Sequence, residues 1–280
     1  MTTQPVAVIC RTLGIGRATA YRRDGPRALY YRRRDDRLVT AQIRSVIRTR
    51  GSYGSRRVRA LVNHLFGTGY NRKRIRRLLR MHGWILARPL RRRTGRAHRG
   101  QVVRPASNER WCSDAFAIVC WSGEVVQIAF ALDCHDREVL AWIAAPRDLV
   151  SADIRQLIAQ AVRQRFGQER TPAPIQWLSD NGSIYTALDT QIAAERAGLV
   201  PITTPAYSPE SNGMAEAMVW TLRRDYVSDA DLSTAGTVLG QLDSWFGDYN
   251  ALAPHSALGF KSPRQYRALI GSVSYPKSVS

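Results

Sequence analysis

A chain of 280 residues with 44% apolar and 23% charged residues can bury a sizeable core, which excludes wholesale disorder and leaves room for two compact domains. Its formal net charge of +20 is polarised: residues 1–100 hold 27 of the 42 Lys and Arg but three of the 22 acids, a net of +24, and the remainder carries −4. Such a front suits a polyanion, because each base that neutralises a phosphate releases condensed counterions. With no lipidation motif and no apolar run near the ~18 residues of a spanning helix, a membrane partner is set aside in favour of nucleic acid.

The N-terminus lacks a basic leader followed by an apolar stretch, and Cys10, Cys112, Cys120 and Cys134 are scattered with no C-x-x-C pair. The expectation is a cytoplasmic protein with reduced thiols and no zinc module. His135 beside Cys134 reads as a strand-end feature rather than a ligand pair. Three of the bases are lysines. Arginine's planar fork suits phosphate, although a GC-rich genome would favour arginine equally.

In chain order, residues 6–23 suggest helix, glycine turn at 14–16, and a helix ending in bases. That outline fits a helix-turn-helix or an ordinary helical hairpin. From about residue 35, Leu38, Ile43, Val46 and Ile47 mark one helix, and Val58, Leu61, Val62 and Leu65 a second. A third starts at Asn71, a good N-cap. Ile75, Leu78 and Leu79 form its apolar stripe, while six of residues 71–80 are basic. Bases of one sign repel unless a polyanion relieves them, so Arg56, Arg57, Arg72, Lys73, Arg74, Arg76 and Arg77 are candidate DNA contacts. Residues 91–106 read as a basic linker.

Beyond it the period changes. Strands are expected over 111–120, 125–133 and 138–144, then a helix over 151–166, a strand over 174–179, a helix over 187–197 and a strand over 200–204. Helices over 212–226 and 235–249 complete a mixed α/β sheet with helices on its faces. The expected division is 1–30 (helix-turn-helix-like), 31–90 (basic helical), 91–106 (linker), 107–230 (core) and 231–280 (helical extension and tail).

Three acids stand out: Asp114 in the first strand, Asp180 just past the fourth, and Glu216 in the first turns of a helix. Singly, each has a bland reading as a turn former or a solvated charge. Together they offer hard carboxylate oxygens on a rigid scaffold, which paired Mg²⁺ or Mn²⁺ ions need for in-line phosphodiester chemistry.

Asp180 and Glu216 are separated by 35 residues, and the flanking words are W-C-S-D (111–114), A-L-D-C-H-D-R-E-V (131–139), L-S-D-N-G-S-I-Y (178–185) and S-P-E-S-N-G-M-A-E (208–216). Together with H-S-A-L-G-F-K-S-P (255–263), G-S-Y-G-S-R-R-V (51–58) and N-R-K-R-I (71–75), the chain resembles the OrfB subunit of bacterial insertion-sequence transposases. That family belongs to the DDE transposase and retroviral integrase superfamily, so the resemblance implies a ribonuclease-H-like five-stranded core behind the all-α front. It also implies that Asp114, Asp180 and Glu216 hold two Mg²⁺ or Mn²⁺ ions, and that Arg223, with neighbouring Arg224, contacts DNA. Ser208, Pro209 and Asn212 would shape the loop that brings the Glu216 helix to the metals; Asn181 and Asp133 would support the site, Asp133 by structure or by ligation. The family often has Arg where Ala253 stands.

The implied reaction is strand cleavage that frees a 3′-hydroxyl, followed by one-step strand transfer. The implied partners are double-stranded DNA, an OrfA subunit or fusion, and further copies of the chain. The alternative is a catalytically silent DNA-binding regulator derived from a transposase.

Overall fold

A computed structural model describes residues 5–21, 33–86, 104–204 and 212–273. Near the N-terminus, α1 (Val6–Thr12) and α2 (Arg17–Ala20) flank a turn at Gly14, whose φ of 62° suits a residue without Cβ. Cys10 is buried there, while Val8, Ile9 and Leu13 are exposed. The expected second helix runs towards Arg23, which lies outside the described residues, as does most of the 91–106 linker.

Three amphipathic helices follow: α3 (Asp36–Thr49), α4 (Ser55–Leu65) and α5 (Arg72–Met81). Val39, Ile43 and Val46 pack against Val58, Leu61, Val62, Ile75, Leu78 and Leu79. Leu38 and Leu65, expected in this core, are 58% and 50% exposed. The reason is helical phase: residues 39, 43 and 46 share one face, and position 38 is turned about 100° from Val39. Asn71 caps α5 as its residue type predicts, its Oδ1 accepting the Arg74 N–H at 2.8 Å.

The second region is a five-stranded sheet in the order β3-β2-β1-β4-β5. The strands are β1 (Arg110–Val119), β2 (Val125–Asp133), β3 (Val139–Ala145), β4 (Ile175–Ser179) and β5 (Leu199–Thr203). β1–β2 and β2–β3 are antiparallel; β1–β4 and β4–β5 are parallel. The expected mixed sheet with helices on its faces is what the chain forms.

Side chains alternate across a strand, and that alternation divides the core in two. Cys112, Phe116, Ile118, Ile128, Phe130 and Leu178 face α9 (Gly213–Asp225) and α10 (Ala235–Ala251). Trp111, Ala129, Ala131, Ile175 and Trp177 face α6 (Ser151–Phe166), the short α7 (Ser183–Thr186) and α8 (Leu188–Arg196). α10, placed by sequence in a C-terminal extension, buries Val238, Leu242, Trp245, Phe246 and Tyr249 in the first of these layers. Each large apolar side chain so buried contributes roughly 1.5–3 kcal/mol. The last helix, α11 (Pro263–Val273), brings Arg264 and Arg267 to Glu138.

The helical front docks on this core through charge. Arg57 pairs with Asp225 at 2.5 Å, Arg50 with Asp248, and Gln265 meets His64. Among the described residues no helix is long and apolar enough to cross a membrane.

Candidate active site

Strand parity decides which acids meet. Asp114 shares the parity of Cys112 and Phe116, so it points to the α9 face. In the parallel ladder Cys112 pairs with Leu178, and two further residues along each strand bring Asp180 level with Asp114 as β4 ends. Glu216 lies in the first turn of α9, on the same side of the sheet. Burial pushes the Asp114 carboxyl up to about 6; a bond from the Ala115 N–H opposes this, and the charges of Asp180 and Glu216 reinforce it. Both charges therefore reach Asp114, and none of the three acids makes an ion pair with Lys or Arg among the described residues.

Short-range bonds hold this edge. The Ala115 N–H donates to Asp114 Oδ1 at 2.8 Å, and the Gly182 N–H to Asp180 Oδ1 at 3.0 Å. A Cβ at Gly182 would lie 3.0 Å from that same oxygen, so glycine leaves room for the carboxylate. Asn181 Nδ2 donates to the Thr204 carbonyl at 3.0 Å, tying the β4 loop to the end of β5. Buried Asn212 donates to the Ser113 carbonyl at 3.1 Å, which fixes the start of α9 beside Asp114. On the opposite face, Ser113 Oγ lies 2.9 Å from the Tyr185 hydroxyl and donates to the Phe130 carbonyl at 2.7 Å.

Ser113, Gly182 and Tyr185 had no role assigned from sequence, although all three lie inside the quoted motifs. The available signal was at Gly182: an Asp followed two residues later by Gly is the pattern of an Asx turn.

Other sequence candidates fall elsewhere. Ser208 and Pro209 lie outside the described residues. Asp133 has the opposite parity to Asp114 and points to the α6 face. There Arg165 contacts Asp133 at 3.1 Å, Asp136 at 2.5 Å and Glu138 at 2.7 Å, all buried. Burial and the neighbouring Asp136 push the Asp133 carboxyl up against the pull of Arg165 and bonds from the Asn108 and His135 N–H groups. Asp133 is thus a buttress apart from the trio.

The basic candidates also separate. Arg77 is buried against Asp36 at 2.7 Å, which corrects its placement among surface bases, and Arg74 reaches the same carboxylate at 3.2 Å. Burial alone would raise Asp36; bonds from the Arg33 N–H, Arg77 and Arg74 outweigh it and hold the carboxyl low. Arg57 and Arg224 both pair with Asp225. Arg56, Arg72, Lys73 and Arg76 are exposed. Arg223 is exposed beside β1, with Nη2 3.4 Å from the Ala117 carbonyl.

Three carboxylates on one edge with no base to balance them suit a hard divalent cation. Among the described residues no three Asp, Glu, His or Cys side chains come together as a ready-made cage.

Family models described as "Integrase core domain" match residues 104–209 and 197–263, and one described as "HTH-like domain" matches residues 33–93, the span of α3–α5. The helix-turn-helix outline suggested for residues 6–23 lies before that match. Over 274 residues the chain is 40% identical to Transposase InsD for insertion element IS2D of Escherichia coli (strain K12), covering 93% of this chain and 90% of the relative. It is 47% identical over 186 residues to an uncharacterized protein of insertion element IS136 from Agrobacterium fabrum (strain C58), covering 66% of this chain and 95% of the relative. A solved simian T-cell lymphotropic virus intasome, in complex with the PP2A regulatory subunit B56 gamma, aligns at a TM-score of 0.49 and 18% identity, over 86% of this chain and 76% of that one. The chain belongs to the insertion-sequence transposases of the DDE/integrase superfamily.

Proposed function

We propose that this chain is the catalytic subunit that cuts and joins DNA at the ends of an insertion sequence, with Asp114, Asp180 and Glu216 as its metal ligands. The observation that carries this reading is that the charges of Asp180 and Glu216 both reach Asp114 at the α9 edge of the sheet, with no ion-pairing base among the described residues. Two divalent ions, Mg²⁺ or Mn²⁺, would supply Lewis-acid stabilisation of the attacking and leaving oxygens in an in-line displacement.

The protein's own part is positioning. Asp114 lies within a central strand, and Asp180 is held by the Gly182 N–H. Glu216 arrives on a helix whose start Asn212 ties to Ser113. Asp114 would hold the cation in its deprotonated form, which the cation's charge would favour. Arg223, seven residues after Glu216 and exposed beside β1, is placed to meet a DNA phosphate. No side chain need act as nucleophile, because water and then the freed 3′-hydroxyl perform the two attacks.

The exposed bases of the helical front would hold duplex DNA non-specifically. End recognition and pairing of protomers would lean on an OrfA partner or fusion, with further copies of the chain assembled on DNA.

The test is 3′-end cleavage and joining of labelled transposon-end DNA, with OrfA supplied, in Mg²⁺ or Mn²⁺. Metal-dependent joining that disappears with Asp180→Asn is the expected result. Tight binding without cutting, across ends and metals, would leave a DNA-binding regulator instead.

A further inference from the structure

Between the helical front and the core lies a cleft of about 910 Å³ that the catalytic edge does not use. Five arginines of α4 and α5, among them Arg56, Arg76 and Arg80, face Arg137 and Arg224 of the core across it. Asp225 is the one acid among its described lining residues. Like charges gathered in one concavity repel, and they favour a polyanion that enters it.

Two independent features also point to a missing occupant. The Tyr53 hydroxyl and His255 Nε2 are buried without a hydrogen-bond partner, and both residues line the cleft. Such orphaned groups are costly unless something pairs with them. In addition, the described residues include three non-glycine positions at positive φ, and two of them, Arg137 (62°) and Phe260 (65°), line the same cleft. Side chains of that size seldom adopt the left-handed region, and strained backbone gathers at functional sites.

The cleft is too small to admit a duplex, yet one strand's sugar–phosphate backbone could lie along it. Its position is set by α9: Asp225 in the cleft is nine residues beyond Glu216, roughly 13 Å of helix at 1.5 Å per residue. That span equals about four nucleotides at 3.4 Å per step of one strand.

We infer that this cleft is a second DNA-contact site, which grips the backbone of one strand about four nucleotides from the reacting phosphodiester. Arg80 and Arg137 supply charge from opposite walls, and the Tyr53 hydroxyl gains a phosphate partner only as the entering strand parts the groups that now cover it. Asp225 holds Arg57 and Arg224 in place until the strand arrives. The inference rests on the reading that the chain acts on DNA, and it assigns Tyr53, Arg80, Arg137 and His255 to that contact.

The test compares the full chain with an Arg80→Ser/Arg137→Gly variant, titrating fluorescein-labelled duplex DNA over a range of salt. Removing two phosphate contacts should lower the slope of log affinity against log salt by roughly 2 and weaken binding at least tenfold. Glycine tolerates the φ at position 137, so the variant's melting temperature should not fall on account of that site. Unchanged affinity and slope in a folded variant would overturn the inference. Should the variant not fold, phosphate-ethylation interference on the wild-type complex serves: a phosphate about four nucleotides from the cut whose ethylation blocks binding supports the cleft, and no such phosphate overturns it. Because binding is read without cleavage, a wild type that binds but does not cut would sink the catalytic reading and leave this one standing. A wild type that binds no DNA would sink both.

Discussion

Two acid-rich places sit on opposite faces of one sheet. On the α6 face, Asp133, Asp136 and Glu138 gather around Arg165; backbone N–H groups also bond Asp133 and Asp136, and Arg264 and Arg267 also reach Glu138. On the α9 face, Asp114 faces the charges of Asp180 and Glu216 with no such base among the described residues. The first arrangement locks the β2–β3 turn to α6 and α11. The second leaves Asp114 with its carboxyl raised by burial and by two neighbouring acids. What separates them is one pleat: residues of odd number on β1 and β2 turn towards α6, and those of even number towards α9. Acidic clustering alone does not suit a cation; what suits one is carboxylates without a counter-charge, the basis of the proposal for the α9 face.

Breaking the contrast on the α9 face should have the largest effect. Glu216→Gln or Asp114→Asn should lower strand joining by at least about 100-fold, the scale of losing one preorganised electrostatic group, while DNA affinity in a gel-shift assay stays near wild type. A large loss of binding instead would make these acids structural.

Arg165→Met should come next, because it takes the only paired base from the buried carboxylates of Asp133 and Asp136 among the described residues, while Glu138 keeps Arg264 and Arg267. A stability loss of about 3–5 kcal/mol is expected in chemical denaturation at neutral pH. A loss under about 1 kcal/mol would show that water reaches this network and that the two faces differ less than their geometry implies.

The Asp114 shift gives a pH test. Its carboxyl binds a proton more tightly in the folded chain, at about 6, than at its ordinary value of 3.8. Without metal, the folded state therefore loses stability as pH rises from about 4 through 6. Asp114→Asn should escape that loss and be more stable than wild type above pH 6, by about 1–2 kcal/mol after solvent screening. Asp36 in the helical front should behave oppositely, since its arginine partners hold its carboxyl low: its contribution is present at neutral pH and fades as pH falls through the acid range. Equal pH profiles for the wild type and Asp114→Asn would remove the electrostatic argument for the site.

The smallest effect belongs to Tyr185→Phe, which deletes the contact to Ser113 behind Asp114. About 1 kcal/mol of stability should be lost, with strand joining reduced more than that figure alone would require if the bond aims the carboxylate.

Much of this molecule could be read from its sequence, because local rules govern those parts. Five strands and the long helices followed from hydrophobic period, the Asn71 cap from residue type, and the polarised charge from counting. The family resemblance rested on words around Asp114, Asp180 and Glu216 that survive in one dimension. Periodicity failed where a short element or a phase choice was involved: α7 is a single turn, and Val39 rather than Leu38 faces the core. Tertiary structure alone decided which charges are balanced. Nothing local tells that Asp36, 41 residues before Arg77 in the chain, would bury it, or that Asp225 would hold Arg57. Nor does it tell that a cleft would bring Tyr53, Arg80, Arg137 and His255 to one place. Period, caps and composition depend on neighbours in the chain, whereas charge balance and burial depend on neighbours in space, which only the packed sheet and helices supply.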